Sequence, residues 1–207
     1  MQLKRQNESR YFYLHHSPCS THMIYNENAF DDFDGMFCIG NYHEKEVRER
    51  EKNLSLNKKV LLKSGYPNFD YLKNKNYKKG NKDTILIAPS WGENSITNLC
   101  LFELVSNLIN LKKNIILRPH NRSFLVDNKK LRKVINYFKK NEFFSIDRDS
   151  SSSKSMNHSE LLITDWSGIS FEYILQRKPI LFIDVPPKVN NKNYHEISQI
   201  PLELSMR

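Results

Sequence analysis

The segment Leu161–Tyr173, LLITDWSGISFEY, sets Asp165, Trp166, Ser167 and Gly168 where an apolar run gives way to an amphipathic one. A helix begun by Ser167 and Gly168 offers unpaired backbone N–H groups and the positive end of its dipole, which together favour a phosphate. Ser167 and Ser170 add hydroxyl donors. The same residues also suit a plain helix cap made by Asp165 or Ser167, and the pattern leaves both readings open. A second polar cluster closes Asn114–Arg122, NIILRPHNR, where only Pro119 separates Arg118 from His120. A guanidinium fork matches phosphate oxygens, and an imidazole, with its reference pKa of about 6.5, can protonate a departing phosphate. Ser90 and Trp91, in the turn Ala88–Gly92 (APSWG), are placed to approach a nucleotide base or phosphate; Trp91 equally suits a core lid. Near the start, Leu14-His15-His16-Ser17 follows an aromatic run, and one of its histidines can act as general base. The spacing of His15, His16 and His22 fits no standard zinc pattern and no carboxylate cluster accompanies them, so no metal is expected.

Short β-branched and aromatic runs alternate with amphipathic stretches, the rhythm of βαβ units around a buried parallel sheet. A first block, 1–73, carries predicted strands at Tyr11–Leu14, Met36–Ile39 and Val60–Lys63 and a helix over Tyr42–Asn53. The charges of EKEVREREK in that helix read as a solvated face. Residues 74–83, NKNYKKGNKD, read as a linker or loop after Gly65 and Pro67 break the periodicity. The second block, 84–207, predicts strands at Thr84–Ala88, Asn114–Arg118, Phe143–Ile146, Leu161–Thr164 and Ile180–Ile183. Its helices fall over Thr97–Leu111, Phe124–Lys140 and Ile169–Gln176, with a short one after the Ser150–Ser153 turn. Ligands of such sheets sit beyond the carboxyl ends of the strands.

The 207 residues, 39% hydrophobic and 27% charged, suffice for one large core or two small ones and lie far from the composition of disorder. The net charge of +9 suits an anionic membrane face or a phosphate-rich substrate. Its basic residues are dispersed among Asn and Glu rather than clustered with stacking aromatics, which argues against nucleic acid. Cys19, Cys38 and Cys100 form no C-x-x-C spacing, so a reducing cytoplasm is expected. The start lacks the apolar run of a secretory signal and no stretch nears the roughly 18 apolar residues of a membrane span, so any membrane contact is expected to be peripheral.

Together the segments HHSPCSTHMIYNENAFDDFD, GMFCIGNYHEKEVRERE, SGYPNFDYL, ILIAPSWG, ILRPH, LLITDWSGISFEY and KPILFIDVPPKVNN resemble, in order, the CDP-glycerol glycerophosphotransferase family. This group includes teichoic acid polymerases and capsule enzymes. The resemblance implies an α/β, glycosyltransferase-B-like fold with a Rossmann-like C-terminal donor lobe and, given the short first block, an incomplete N-terminal acceptor-side lobe. It implies that an acceptor hydroxyl of a polyol phosphate or glycolipid attacks CDP-glycerol or another CDP-polyol, releasing CMP without a cofactor. His16 takes the place of the family's N-lobe base, and His120 that of the histidine beside the donor phosphates. Asp165, Ser167, Gly168 and Ser170, with Arg118, Ser90 and Trp91, take those of the donor-binding segments. Asn121 departs from the proline many members carry after RPH. A truncated, non-catalytic nucleotide-binding lobe and a nucleotide-sugar glycosyltransferase of the same architecture are the competing readings. The expected location is the cytoplasm, with peripheral contact at the inner face of the cell membrane as an open alternative.

Overall fold

The computed structural model describes residues 9–73, 80–126 and 128–207. The chain divides into two compact units, Met1–Asp70 with Lys188–Arg207, and Tyr71–Pro187. In the first, parallel strands β1 (Phe12–Leu14), β2 (Gly35–Cys38) and β3 (Val60–Lys63) form a sheet in that order. Helix α1 (Asn41–Asn53) links β2 to β3 and packs Val47 against Met36 and Cys38. Gly35 is required where it stands: a Cβ there would lie 2.5 Å from the Val60 carbonyl and 2.4 Å from the Phe12 ring. Helix α2 (Pro67–Lys73) follows. Pro67 looks like a break in the sequence, but proline suits the first turn of a helix, where its missing N–H has no partner to lose.

The second unit holds a five-stranded parallel sheet. Its strands are β4 (Thr84–Ile87), β5 (Asn114–Leu117), β6 (Phe144–Ile146), β7 (Leu161–Thr164) and β8 (Ile180–Phe182), in the order β6-β5-β4-β7-β8. Helices α3 (Ile96–Leu99), α4 (Leu101–Asn110), α5 (Asn121–Leu125), α6 (Lys129–Phe138), α7 (Ser153–His158) and α8 (Ile169–Tyr173) accompany them, whereas the short α9 (Leu202–Ser205) belongs to the first unit. Side chains alternate across a strand, so β4 serves two cores. Ile85 and Ile87 join Ile115, Leu117 and Ile163 beneath Leu101, Val105, Leu131, Val134 and Phe138 of α4 and α6. Leu86 and Leu162 face the other way, onto Met156 of α7, Tyr173 of α8 and Leu72. Both faces are therefore covered, which is why TILI can be buried at every position.

Several details differ from the sequence reading, among them the expected helix over Thr97–Leu111, which is broken at Cys100 into α3 and α4. The expected helix over Phe124–Lys140 is two helices, because His120 caps α5 and the Asn128 side chain accepts the Leu131 N–H to start α6. The charged face of α1 is not fully solvated: Glu46 and Glu51 are buried, accepting the Thr21 and Lys59 amides at 2.7 and 2.8 Å. Lys188–Arg207 groups with the first unit rather than with the second block. Asn190 and Asn191 donate to the Met23 carbonyl, and Glu203 accepts the Ser20 amide at 3.0 Å. The units divide at Asp70/Tyr71; residues 74–79 of the expected linker lie outside the described residues, while Asn81 donates to the His158 carbonyl and Asp83 to Glu160, within the second unit.

Candidate active site

In the second unit the chain winds away from β4 in both directions, so the carboxyl ends of β4 and β7 flank the switch point where ligands of open α/β sheets bind. The loops there are tied by side chains. Thr164 donates its hydroxyl to the Ala88 carbonyl at 2.7 Å. Asp165, 1% exposed, accepts the Ser90 amide on one carboxylate oxygen at 2.6 Å and the Ile96 amide on the other at 2.8 Å. Asp165 thus caps α3, at the far side of the switch point, rather than its own helix. Trp166 donates its indole N–H to the Val185 carbonyl at 3.1 Å. Ser170 is buried, and its hydroxyl closes the turn by donating to the Ser167 carbonyl at 3.0 Å; Ser167 and Gly168 remain half-buried.

Next to this clamp, beyond β5, the exposed His120 accepts the Arg122 amide on Nδ1 at 3.1 Å. In the neutral ring the proton therefore sits on Nε2. Its ring centre lies 6.2 Å from that of Trp91, and the Arg122 guanidinium stacks over the same indole at 4.1 Å. The structure thus joins Ser90 with Asp165 and Trp91 with His120. It pairs Arg118 elsewhere, with Asp147 after β6, at 2.7 Å. Burial would raise the Asp147 carboxyl, but donors from Ser155, the Asp149 amide and Arg118 outweigh it and hold the pKa below the usual value. Arg122 and Asp147 are the residues the sequence reading passed over. A cation two positions past His120 was a usable signal; nothing local marks Asp147 as the partner of Arg118.

The first unit places the paired histidines differently from one another. His16 is exposed, its Nδ1 3.3 Å from the Tyr13 hydroxyl, and its carbonyl accepts from Tyr66 at 3.0 Å. His15 is 4% exposed and stacks on His43 with ring centres 4.0 Å apart; neither of its ring nitrogens has a hydrogen-bond partner. Burial, with contributions from His43 and His16, pushes its pKa down to about 3, so the ring is neutral. His43 is fixed in one tautomer, accepting the Ile39 amide on Nδ1 and donating from Nε2 to the Cys19 carbonyl at 2.9 Å. Cys19 is no nucleophile: burial and the nearby Glu203 push its thiol up to about 12. Among the described residues no group of His, Cys, Asp or Glu side chains is disposed to hold a metal ion.

The family model for CDP-glycerol:poly(glycerophosphate) glycerophosphotransferases matches residues 6–187. The chain belongs to this family. A teichoic acid poly(glycerol phosphate) polymerase from Bacillus spizizenii is 32% identical over 146 residues, which is 60% of this chain and 35% of that protein. Among solved structures, the wall teichoic acid polymerase TagF superimposes with a TM-score of 0.51 at 20% identity, covering 86% of this chain and 50% of that one. A variant of TagF gives 0.52 at 18% identity, covering 87% and 51%. These superpositions show a shared fold, and with the parallel sheets they make the architecture glycosyltransferase-B-like. The chain spans between about a third and a half of the length of these relatives.

Proposed function

We propose that this family member transfers glycerol phosphate, or another polyol phosphate, from a CDP-polyol to the hydroxyl of a polyol-phosphate or glycolipid acceptor, in the synthesis of a teichoic-acid-like or capsular polymer. The observation that carries the reading is the pair of linked loops at the switch point, Ser90 with Asp165 and Trp91 with His120. In the proposed step an acceptor oxygen attacks the β-phosphorus, the bond from that phosphorus to the bridging oxygen breaks, and CMP departs. Positioning and charge stabilisation supply most of the rate in such a displacement. His120 serves the leaving phosphate through Nε2. The half-buried Ser167 and Gly168 bind the polyol phosphate, with Arg118 and Ser170 supporting that wall. Asp165 acts by holding the Ser90 loop, and Trp91 flanks the donor.

His16 takes the acceptor proton in this reading. Its neighbour His15, a neutral ring with two unpartnered nitrogens, is the comparison that tests the assignment. Incubation with CDP-glycerol and a glycolipid acceptor is expected to release CMP, with His120→Ala and His16→Ala each lowering the rate by about 100-fold or more, the usual loss for a general acid or base. Undiminished release in His16→Ala alongside loss in His15→Asn would move the base to His15. Calorimetric binding of CDP-glycerol without CMP release by the unmodified chain would make it a binding lobe instead. The net charge of +9 supports work at the inner face of an anionic membrane, and binding to anionic liposomes that weakens with salt is the corresponding measurement.

A further inference from the structure

Two arginines flank His120 symmetrically in the sequence, Arg118 two positions before it and Arg122 two positions after. Their surroundings differ. Arg118 donates to Asp147 at 2.7 Å, with only 15% of its own side chain and 9% of its partner's exposed, so its charge is neutralised where it stands. Its amide is tied as well, donating to the Ile87 carbonyl at 2.8 Å. Arg122 is exposed, and among the described residues no carboxylate lies within ion-pair distance of its guanidinium. What holds it is an aromatic ring: the guanidinium carbon lies 4.1 Å from the centre of the Trp91 indole. Stacking on an indole engages the flat face of a guanidinium and leaves the N–H groups at its rim to other partners.

The neighbours of that guanidinium are themselves anchored. Trp91 follows Ser90, whose amide donates to the buried Asp165 at 2.6 Å, and the Arg122 amide donates to His120 Nδ1 at 3.1 Å. The Trp91 and His120 ring centres are 6.2 Å apart. An arginine restrained in this way has already lost part of its rotamer freedom, which lowers the cost of meeting an anion. Its planar rim matches two phosphate oxygens in charge-assisted hydrogen bonds. We infer that Arg122 is a direct ligand of the donor diphosphate, with Trp91 as the platform that presents it. The assignment rests on the CDP-polyol reading above, in which His120 serves the leaving phosphate. As the bond from the β-phosphorus to the bridging oxygen breaks, negative charge grows on the departing CMP, and a fixed guanidinium beside His120 stabilises it. Arg118 keeps a supporting part, tying the end of β5 to the end of β6 through Asp147.

Calorimetric titration of the full chain with CDP provides the test. Arg122→Gln, which keeps the backbone N–H to His120, should weaken CDP binding by about tenfold or more, as loss of a charge-assisted bond does, and leave the urea midpoint unchanged. Arg122→Lys keeps the charge without the planar fork and should recover part of that affinity. Cytidine, which carries no phosphate, should bind the unmodified chain and Arg122→Gln alike in ligand-observed NMR. Lys133→Gln removes an equal charge from the same unit, one placed 5.2 Å from the Phe102 ring, and should leave CDP binding as it was. Undiminished CDP binding in Arg122→Gln overturns the inference. An equal loss for cytidine and CDP also overturns it, since Arg122 would then only prop Trp91, and so does an equal loss in Lys133→Gln, which would make the effect one of net charge. Failure of the unmodified chain to bind CDP overturns it together with the donor reading. Arg122-dependent CDP binding without CMP release from CDP-glycerol would instead support the inference and remove only the transfer reaction.

Discussion

Strands β4 and β3, TILI and VLLK, are nearly interchangeable as sequences, yet the first is buried throughout and the second exposes Val60 and Leu62. The difference lies in how the chain winds around them. In the second unit it leaves β4 in both directions, so helices fall on both faces and every residue of the central strand finds a partner. Among the described residues of the first it winds one way, and alternate residues face outward. Strand composition reports that a sheet is meant to be enclosed; the order of strands decides which of its faces is enclosed by the same chain.

The contrast can be broken most directly by truncating equivalent leucines. Leu86→Ala, at a fully buried position, should cost about 2–5 kcal/mol, whereas Leu62→Ala should stay within about 0.5 kcal/mol. Urea midpoints of the two variants check this, and similar losses would mean that the outer face of the small sheet is packed in solution. Asp165→Ala strands two buried amides, each bonded to a charged acceptor, and should cost about 2–4 kcal/mol by the same measurement. Gly35→Ala probes the close approach within the small sheet: the new methyl meets a backbone carbonyl, and overpacking of this kind costs about 1–3 kcal/mol.

Two smaller effects separate the units by pH. His15 has its folded pKa near 3, below the ordinary value of about 6.5, so the unfolded chain takes up the proton first. Stability of the first unit should be complete above about pH 6.5 and decline as pH falls toward 3, and His15→Phe should flatten that slope in urea midpoints taken across the range. The depressed carboxyl of Asp147 acts in the second unit and lower on the scale. Its contribution is full above about pH 3.9 and is lost as pH falls through the folded value, so Asp147→Asn should differ from the unmodified chain above that window and converge with it below.

Much of this organisation is legible in the sequence. The strands Val60–Lys63 and Leu161–Thr164 fall where periodicity places them, because apolar runs bounded by polar turns have few alternatives. The break between α5 and α6 was missed because Asn128 as a cap resembles any surface asparagine until its side chain is seen accepting an amide. The positions of His120, Trp91, Ser90 and Asp165 at adjoining strand ends follow from the βαβ rhythm, whereas the pairing of Arg118 with Asp147 joins residues 29 apart, each just past the end of one of two neighbouring strands, and has no local signature. The same holds for His15 and His43, which are adjacent only after β1 and α1 have packed. Neighbouring residues at His15 and His16 differ in burial for a reason periodicity cannot supply, since both follow the strand.

Thr164, Asp165 and Trp166 are consecutive, and each reaches a different segment: the end of β4, the start of α3 and the stretch after β8. Three side chains in a row thereby make one rigid body of three loops. A ligand that binds there meets a preorganised surface, so the entropy of ordering those loops is lost during folding rather than at the encounter. Affinity at such a place depends on shape already present, and a substitution at any of the three positions would loosen one of those ties.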